Sequence, residues 1–311
     1  MKICPITMEV IQAGEGKYSR LGLKMLSKNL KHLEDFPYSR AEQIEEARAR
    51  ADKFSVQGVQ TKLSARLSVA KQNFELVDKR GLFILKPQSE LYDQLPENEA
   101  LTMQLARVSH FDVPISGLIY AKDGAMTYFI KRFDWKGTRK LPQEDFAQLS
   151  DKTRRTKYNS SMEEVASIVE NFCTFPAIEK LKLFRLVLFN FLVGNEDAHL
   201  KNFSLVTRDD VIKCSPVYDL LNSTIALKRP REELALPLKG KKTKITQNDL
   251  LKYYAGERLG LSPAQISTMI NELKVHLPSW RILIERSFLQ PENKKKYFEI
   301  LEERAATLGL L

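Results

Sequence analysis

The feature that most constrains this chain is a long apolar run, Leu181 to Val193, followed at once by Gly194-Asn195-Glu196-Asp197-Ala198-His199-Leu200-Lys201-Asn202-Phe203. A run this continuous does not suit a surface helix and belongs in the core of a sizeable domain. The polar segment behind it therefore leaves a buried element. Within a few residues it brings together a carboxylate (Asp197), an imidazole (His199), an ammonium (Lys201) and a carboxamide (Asn202). Such polar density beside a packed helix points to chemistry.

Asp197 and Asn202 stand five residues apart. That interval is the one used in phosphoryl transfer, where an aspartate receives the proton of the acceptor hydroxyl and an asparagine holds a magnesium ion. A loop leaving a helix end can aim the carboxylate at the attacking oxygen while the amide oxygen reaches a metal on the phosphate side. Lys201, between them, suits neutralising charge on the transferring group. His199 either contacts a ligand or fixes the loop by bonding to backbone. Magnesium keeps few protein ligands and takes the rest from phosphates and water, so a second protein ligand is expected. Asp219 fits: it follows the strand-like Val211–Tyr218, which the turn signal Arg208-Asp209-Asp210 separates from Phe203–Thr207. The alternative makes Asp219 the N-cap of the next helix.

Upstream, Ser55-Val56-Gln57-Gly58-Val59-Gln60 joins a charged helix to an alternating stretch, and a loop of small and polar residues can turn N–H groups toward an anion. It matches neither a P-loop nor a G-x-G-x-x-G loop. Lys86 ends the apolar strand 82–87, where a buried ammonium can meet nucleotide phosphates; a surface lysine at a strand end is the plainer alternative. Glu97-Asn98-Glu99 opens the next helical pattern, a helix expected from Asn98, and Glu99 is placed to clamp Lys86, or else acts as a first-turn dipole partner. Tyr128 to Asp134 reads as a strand running into polar residues, a hinge whose backbone can meet an adenine edge.

In this order, the segments Ser-Val-Gln-Gly-Val-Gln-x-Lys-Leu, Phe-Ile-Leu-Lys-Pro, Glu-Asn-Glu, Ile-Lys-Arg-Phe-Asp, Asn-Glu-Asp-Ala-His-Leu-Lys-Asn and Pro-Val-Tyr-Asp resemble the HipA-type serine/threonine kinases of bacterial toxin–antitoxin systems. The resemblance runs from about the N-terminus to Leu261, and the opening around Cys4-Pro5-Ile6 is similar to the short HipT form, which lacks an extra N-terminal subdomain. It implies an α+β, two-lobed protein-kinase-like fold that uses ATP and Mg2+. Asp197 is then the catalytic base, Asn202 and Asp219 the metal ligands, and Lys86 the phosphate lysine. The Ser55–Gln60 loop covers the phosphates; Lys131, Arg132 and Phe133 frame the adenine; Asp134 and His199 contact nucleotide. Ser55 takes the position of a regulatory autophosphorylation serine, where about two added negative charges would eject the loop. Gln57 stands where some short relatives carry a second serine, so Ser55 alone carries that switch. Family members phosphorylate aminoacyl-tRNA synthetases, which halts translation, and a small DNA-binding antitoxin restrains them.

The chain has 311 residues, 43% of them hydrophobic, enough for a large core and for two lobes. We place an N-lobe at residues 1–134 and a helical C-lobe at 135–311, linked near 135–142. Helical periodicity marks 41–53, 162–172, 178–194, 247–257, 263–277 and 291–308, and 155–161 reads as a mobile basic loop. No apolar stretch reaches the roughly 20 residues of a membrane span, and no secretory h-region opens the chain, so a cytoplasmic protein is expected. Cys4, Cys173 and Cys214 are scattered and read as reduced thiols. A net charge of +10 invites a nucleic-acid reading. Without a recognised binding module it suits phosphate attraction and docking to an acidic partner or a tRNA-bound synthetase, not sequence-specific DNA reading. Two other functions stay open: a small-molecule phosphotransferase, and a non-catalytic nucleotide- or nucleic-acid-binding regulator.

Overall fold

A computed structural model describes residues 2–51, 61–227 and 232–311. The chain divides into two compact units. One comprises Met1–Leu105, Val113–Arg132 and Ile282–Gln290; the other comprises Ala106–Asp112, Phe133–Arg281 and Pro291–Leu311.

The first unit opens with α1 (Arg20–Leu26), whose start is capped by the Ser19 hydroxyl accepting from the Gly22 amide, and α2 (Arg40–Ala51). Its centre is an antiparallel sheet of β1 (Leu63–Ser68), β2 (Asn73–Leu76), β3 (Phe83–Lys86), β4 (Ser116–Tyr120) and β5 (Met126–Lys131) in the order β2-β1-β3-β5-β4. Alternation along the strands turns Leu63, Ala65, Phe83, Leu85 and Phe129 into a core with Phe74. The rings of Phe74 and Phe83 meet edge to face at 5.1 Å, which adds to the area they bury. Gly117 is required where β4 meets the N-terminal segment: a Cβ there would lie 2.8 Å from Ile6 Cα. Between β3 and β4 the chain forms α3 (Leu95–Val108), which starts three residues before the expected Asn98. Its first turns bury Glu97, Asn98 and Glu99, with Glu97 in the first turn of the helix.

The remaining elements are a two-stranded ribbon of β6 (Trp135–Lys136) and β7 (Arg139–Lys140), then β8 (Gln143–Asp145), α4 (Phe146–Leu149), α5 (Met162–Phe172), α6 (Pro176–Leu192), β9 (Ser204–Arg208), β10 (Val211–Cys214), α7 (Ser223–Ala226), α8 (Pro263–Arg286) and α9 (Pro291–Thr307). The segment expected as a plain linker therefore begins with a ribbon. β10, β9 and β8 form a small antiparallel sheet, and Asp209 and Asp210, both at positive φ, make the tight turn between β9 and β10. The strand expected through Tyr218 stops at Cys214. The helix expected at 247–257 forms over Asn248–Arg258 with π winding, a difference that apolar periodicity does not reveal.

The helix expected to stop at Leu277 continues through Pro278 to Arg286. Proline inside a helix costs about 3 kcal/mol, and the burial of Trp280 offsets it. That side chain is fully enclosed, its indole N–H donates to Ser109 Oγ at 2.8 Å, and its ring meets Phe189 edge-on at 5.2 Å. No helix among the described residues is long and apolar enough to cross a membrane.

Candidate active site

α6 buries Leu188, Phe189, Phe191 and Leu192, and its end dictates how the following loop departs. Gly194 adopts φ +66°, its N–H donates to Phe191 O at 3.3 Å, and the Asn195 N–H donates to Asn190 O at 2.9 Å. This double bond pattern around a left-handed glycine is a Schellman termination. The chain then turns by side-chain bonds. Asn195 Oδ1 accepts from the Asp197 amide at 3.2 Å, and the His199 amide donates to Asp197 O at 2.8 Å. A single 3-10 turn, Leu200–Asn202, delivers Asn202 to the start of β9.

The segment after β10 is stapled to this loop. Ser223 Oγ accepts from the Glu196 amide at 2.7 Å and donates to Gly194 O at 3.3 Å, while Thr224 Oγ1 lies 2.9 Å from Gly194 O and 2.8 Å from Glu196 Oε1. The Tyr218 hydroxyl lies 2.9 Å from Lys201 O. Asp219, beside Tyr218, sits at φ +55°, a left-handed conformation that aspartate tolerates better than most residues. It is not a helix cap, because Asn222 caps α7 by accepting from the Ile225 amide. Asp197 and Asp219 both exert a field on His199.

His199 is buried, and burial is the main reason its imidazole is pushed down to about 4 from an ordinary 6.5. Its Nε2 lies 2.5 Å from the Lys157 ammonium, which can only donate, so the ring is the neutral Nδ1–H tautomer. The Nδ1 and the Asn202 Oδ1 are buried without a hydrogen-bond partner. An unsatisfied buried oxygen costs about 1–3 kcal/mol, which a bound cation would relieve. Among the described residues no group of three or more His, Cys, Asp and Glu side chains could hold a metal. An amide oxygen such as that of Asn202 and a carboxylate such as that of Asp219 are donors of the kind magnesium takes alongside phosphate and water. Lys201 is engaged elsewhere: its ammonium pairs with Asp145 Oδ2 at 2.6 Å, and Asp145 also caps α4.

In the first unit Lys86, the last residue of β3, lies opposite Tyr128 of β5. Its ammonium sits 2.5 Å from Glu99 Oε1 and 5.5 Å from the centre of the Tyr128 ring, and both charged side chains are almost wholly buried. The plain surface-lysine reading is thereby ruled out. A buried pair of this kind adds little net stability, but losing either partner strands a charge at roughly 3–5 kcal/mol. The pair is a device for holding an ammonium in place. Lys131 and Arg132 use their amides within the first unit, donating to Ile115 O at 2.7 Å and Leu82 O at 2.8 Å. In the second unit Phe133 packs on Tyr218 with ring centres 5.4 Å apart, and Asp134 is buried with its carbonyl accepting from the Leu141 amide at 2.8 Å. Ser55, Val56, Gln57, Gly58, Val59 and Gln60 lie outside the described residues.

Sequence reasoning missed two residues. The Tyr158 hydroxyl donates to Asp197 Oδ1, and Lys157 reaches His199. An aromatic set in a lysine- and arginine-rich loop was the only signal.

The family model for the HipA-like C-terminal domain matches residues 54–280, well over half of the chain. The chain belongs to the HipA-like family. A Haemophilus influenzae protein that bears a provisional kinase name is 28% identical, with all of this chain and 98% of that protein aligned. The serine/threonine-protein kinase toxin HipA of Shewanella oneidensis is 28% identical over 55% of this chain and 43% of its own length. Among solved structures, the Shewanella oneidensis complex of HipA, HipB and operator DNA contains a chain that superposes with TM-score 0.67 at 22% identity, covering 90% of this chain and 73% of that one. The Helicobacter pylori proinflammatory kinase CtkA gives TM-score 0.50 at 14% identity, covering 72% of this chain and 86% of its own. These likenesses establish the fold of this HipA-like chain as α+β, two-lobed and kinase-like.

Proposed function

We propose that this HipA-like chain is an ATP- and magnesium-dependent serine/threonine protein kinase, the toxin of a toxin–antitoxin pair, which halts translation by phosphorylating an aminoacyl-tRNA synthetase. The observation that carries the reading is the unsatisfied, buried Oδ1 of Asn202, on a loop tied by hydroxyl groups to the segment that follows Asp219. Asn202 and Asp219 would hold the magnesium ion, which when bound neutralises charge on the phosphates. Lys86, fixed by Glu99, would meet the nucleotide phosphates. Asp197 would accept the proton of the acceptor hydroxyl as its oxygen attacks the terminal phosphorus and the bond from that phosphorus to the bridging oxygen breaks, releasing ADP. Lys201 would assist only on leaving Asp145, so its contribution is smaller than that of Asp197.

We further assign the nucleotide-covering role to 55–60 with Ser55 as the self-phosphorylation site, adenine framing to Lys131, Arg132 and Phe133, and nucleotide contacts to Asp134 and His199. Residues 1–134 would then act as the nucleotide lobe and 135–311 as the catalytic lobe. A small antitoxin that binds DNA would be the partner, by analogy with the HipB in the Shewanella complex. The synthetase would be met in the cytoplasm, free or carrying tRNA.

The test is to incubate the purified protein with labelled ATP and a bacterial lysate. One labelled synthetase band, phosphate on Ser55 of the protein itself, and loss of both in Asp197→Asn and Asp219→Asn are expected, each variant slowing transfer by at least about a thousandfold. Label found solely on metabolites would identify a small-molecule phosphotransferase. ATP bound but never turned over would identify a regulator.

A further inference from the structure

The acceptor side of the site carries a side chain that the mechanism above does not use. Between α4 and α5 the chain runs through a turn-rich loop, with the Thr156 amide donating to Thr153 O at 3.2 Å and the Asn159 amide to Thr156 O at 2.8 Å. Two neighbours in this loop reach the Asp197–Asn202 segment. Lys157 does so twice, through its carbonyl, which accepts from the Leu200 amide at 3.3 Å, and through its ammonium at His199. Tyr158 places its hydroxyl on Asp197 Oδ1 and its ring edge-on to His199 at 5.0 Å, with the Lys242 ammonium 5.9 Å from the ring centre.

A hydroxyl donating to Asp197 is the contact that an acceptor serine or threonine must make before transfer. The phenol is a durable occupant, because burial and the adjacent carboxylate both hold it protonated. A hydrogen bond to an ionised carboxylate is about twice as strong as one between neutral groups. The backbone of Asp197 is held without the phenol, its amide by Asn195 and its carbonyl by His199. Tyr158 nevertheless remains 38% exposed, and its loop meets the segment through Lys157 and Tyr158.

We propose that Tyr158 is a built-in substrate mimic: it holds the acceptor position at Asp197 until a protein substrate displaces the 153–160 loop. The proposal rests on the kinase reading above. Its consequence is one-sided. Each molecule closed by Tyr158 is unavailable to the acceptor, so the apparent acceptor Kd is the intrinsic one divided by the open fraction. A tyrosine that merely oriented the base would instead support the chemical step, and its loss would lower kcat.

The test compares wild-type protein with Tyr158→Phe, which keeps the ring against His199 and removes only the hydroxyl. Labelling from ATP is followed as the concentration of dephosphorylated bacterial soluble protein is varied, reading the strongest band. Tyr158→Phe is expected to reach half-maximal rate at about tenfold lower acceptor concentration, with the same ceiling and the same ATP dependence. Lys157→Gln, which loosens the loop from its other anchor, should shift the curve in the same direction, and it serves as the readout if Tyr158→Phe folds poorly. Acceptor curves that are unchanged, or a lowered ceiling, overturn the mimic and leave the kinase reading standing. No labelled protein from wild type or variant overturns both.

Discussion

His199 is buried where the fields of Asp197 and Asp219 favour its charged form, yet enclosure wins and keeps the ring neutral. The sign of the pH effect follows. Between about 4 and 6.5 the unfolded chain takes up a proton at this position that the folded chain refuses. The native state is thus fully supported above pH 6.5 and loses stability as pH falls toward 4, by on the order of 3 kcal/mol from this group. Denaturant titrations at pH 7.5 and pH 5 should show that His199→Gln flattens this dependence; an unchanged slope would mean the ring is charged in the folded protein. Local spacing singled out Asp197 and Asn202, because both lie in one short loop that leaves the end of α6. Tyr158 was not readable, since its partner lies 39 residues away and the contact depends on how an irregular loop folds back.

At the level of elements, the break between α6 and the Asp197 loop depends on one glycine. A Cβ on Gly194 would come within 2.9 Å of Ile300 Cγ2 and 3.0 Å of Thr224 Oγ1, and its φ of +66° strains any L side chain. Gly194→Ala is therefore expected to lower stability by about 1–3 kcal/mol and to reduce turnover further by shifting Asp197. Thermal melts and phosphate-transfer rates on the same preparation check this, and wild-type turnover in a destabilised variant would show that the loop holds its own shape. Most elements were legible because their apolar residues recur at strand or helix period. α8 was not, because the rule that proline stops a helix is local, whereas the enclosure of Trp280 by Ser109 and Phe189 is a tertiary effect. The pairing of Lys86 with Glu99 was legible because a strand end and a helix start, 13 residues apart, have few ways to meet.

For the whole molecule, the formal charge of +10 governs long-range attraction. It should retain the protein on DNA of any sequence at about 50 mM salt, with affinity falling steeply by about 200 mM, as counterion release requires. Fluorescence anisotropy with two unrelated duplexes checks this: equal binding to both is expected, and a preference surviving high salt would assign the chain a reading function of its own. The turn at Asp209 and Asp210 has a different significance. It is exposed, and it lies at the far end of the β9–β10 ribbon from Ser204, the residue next to Phe203 and Asn202. A fluorescent amino acid or short epitope grafted there would report on the ribbon without touching the loop it supports, giving a handle for watching the protein in living cells.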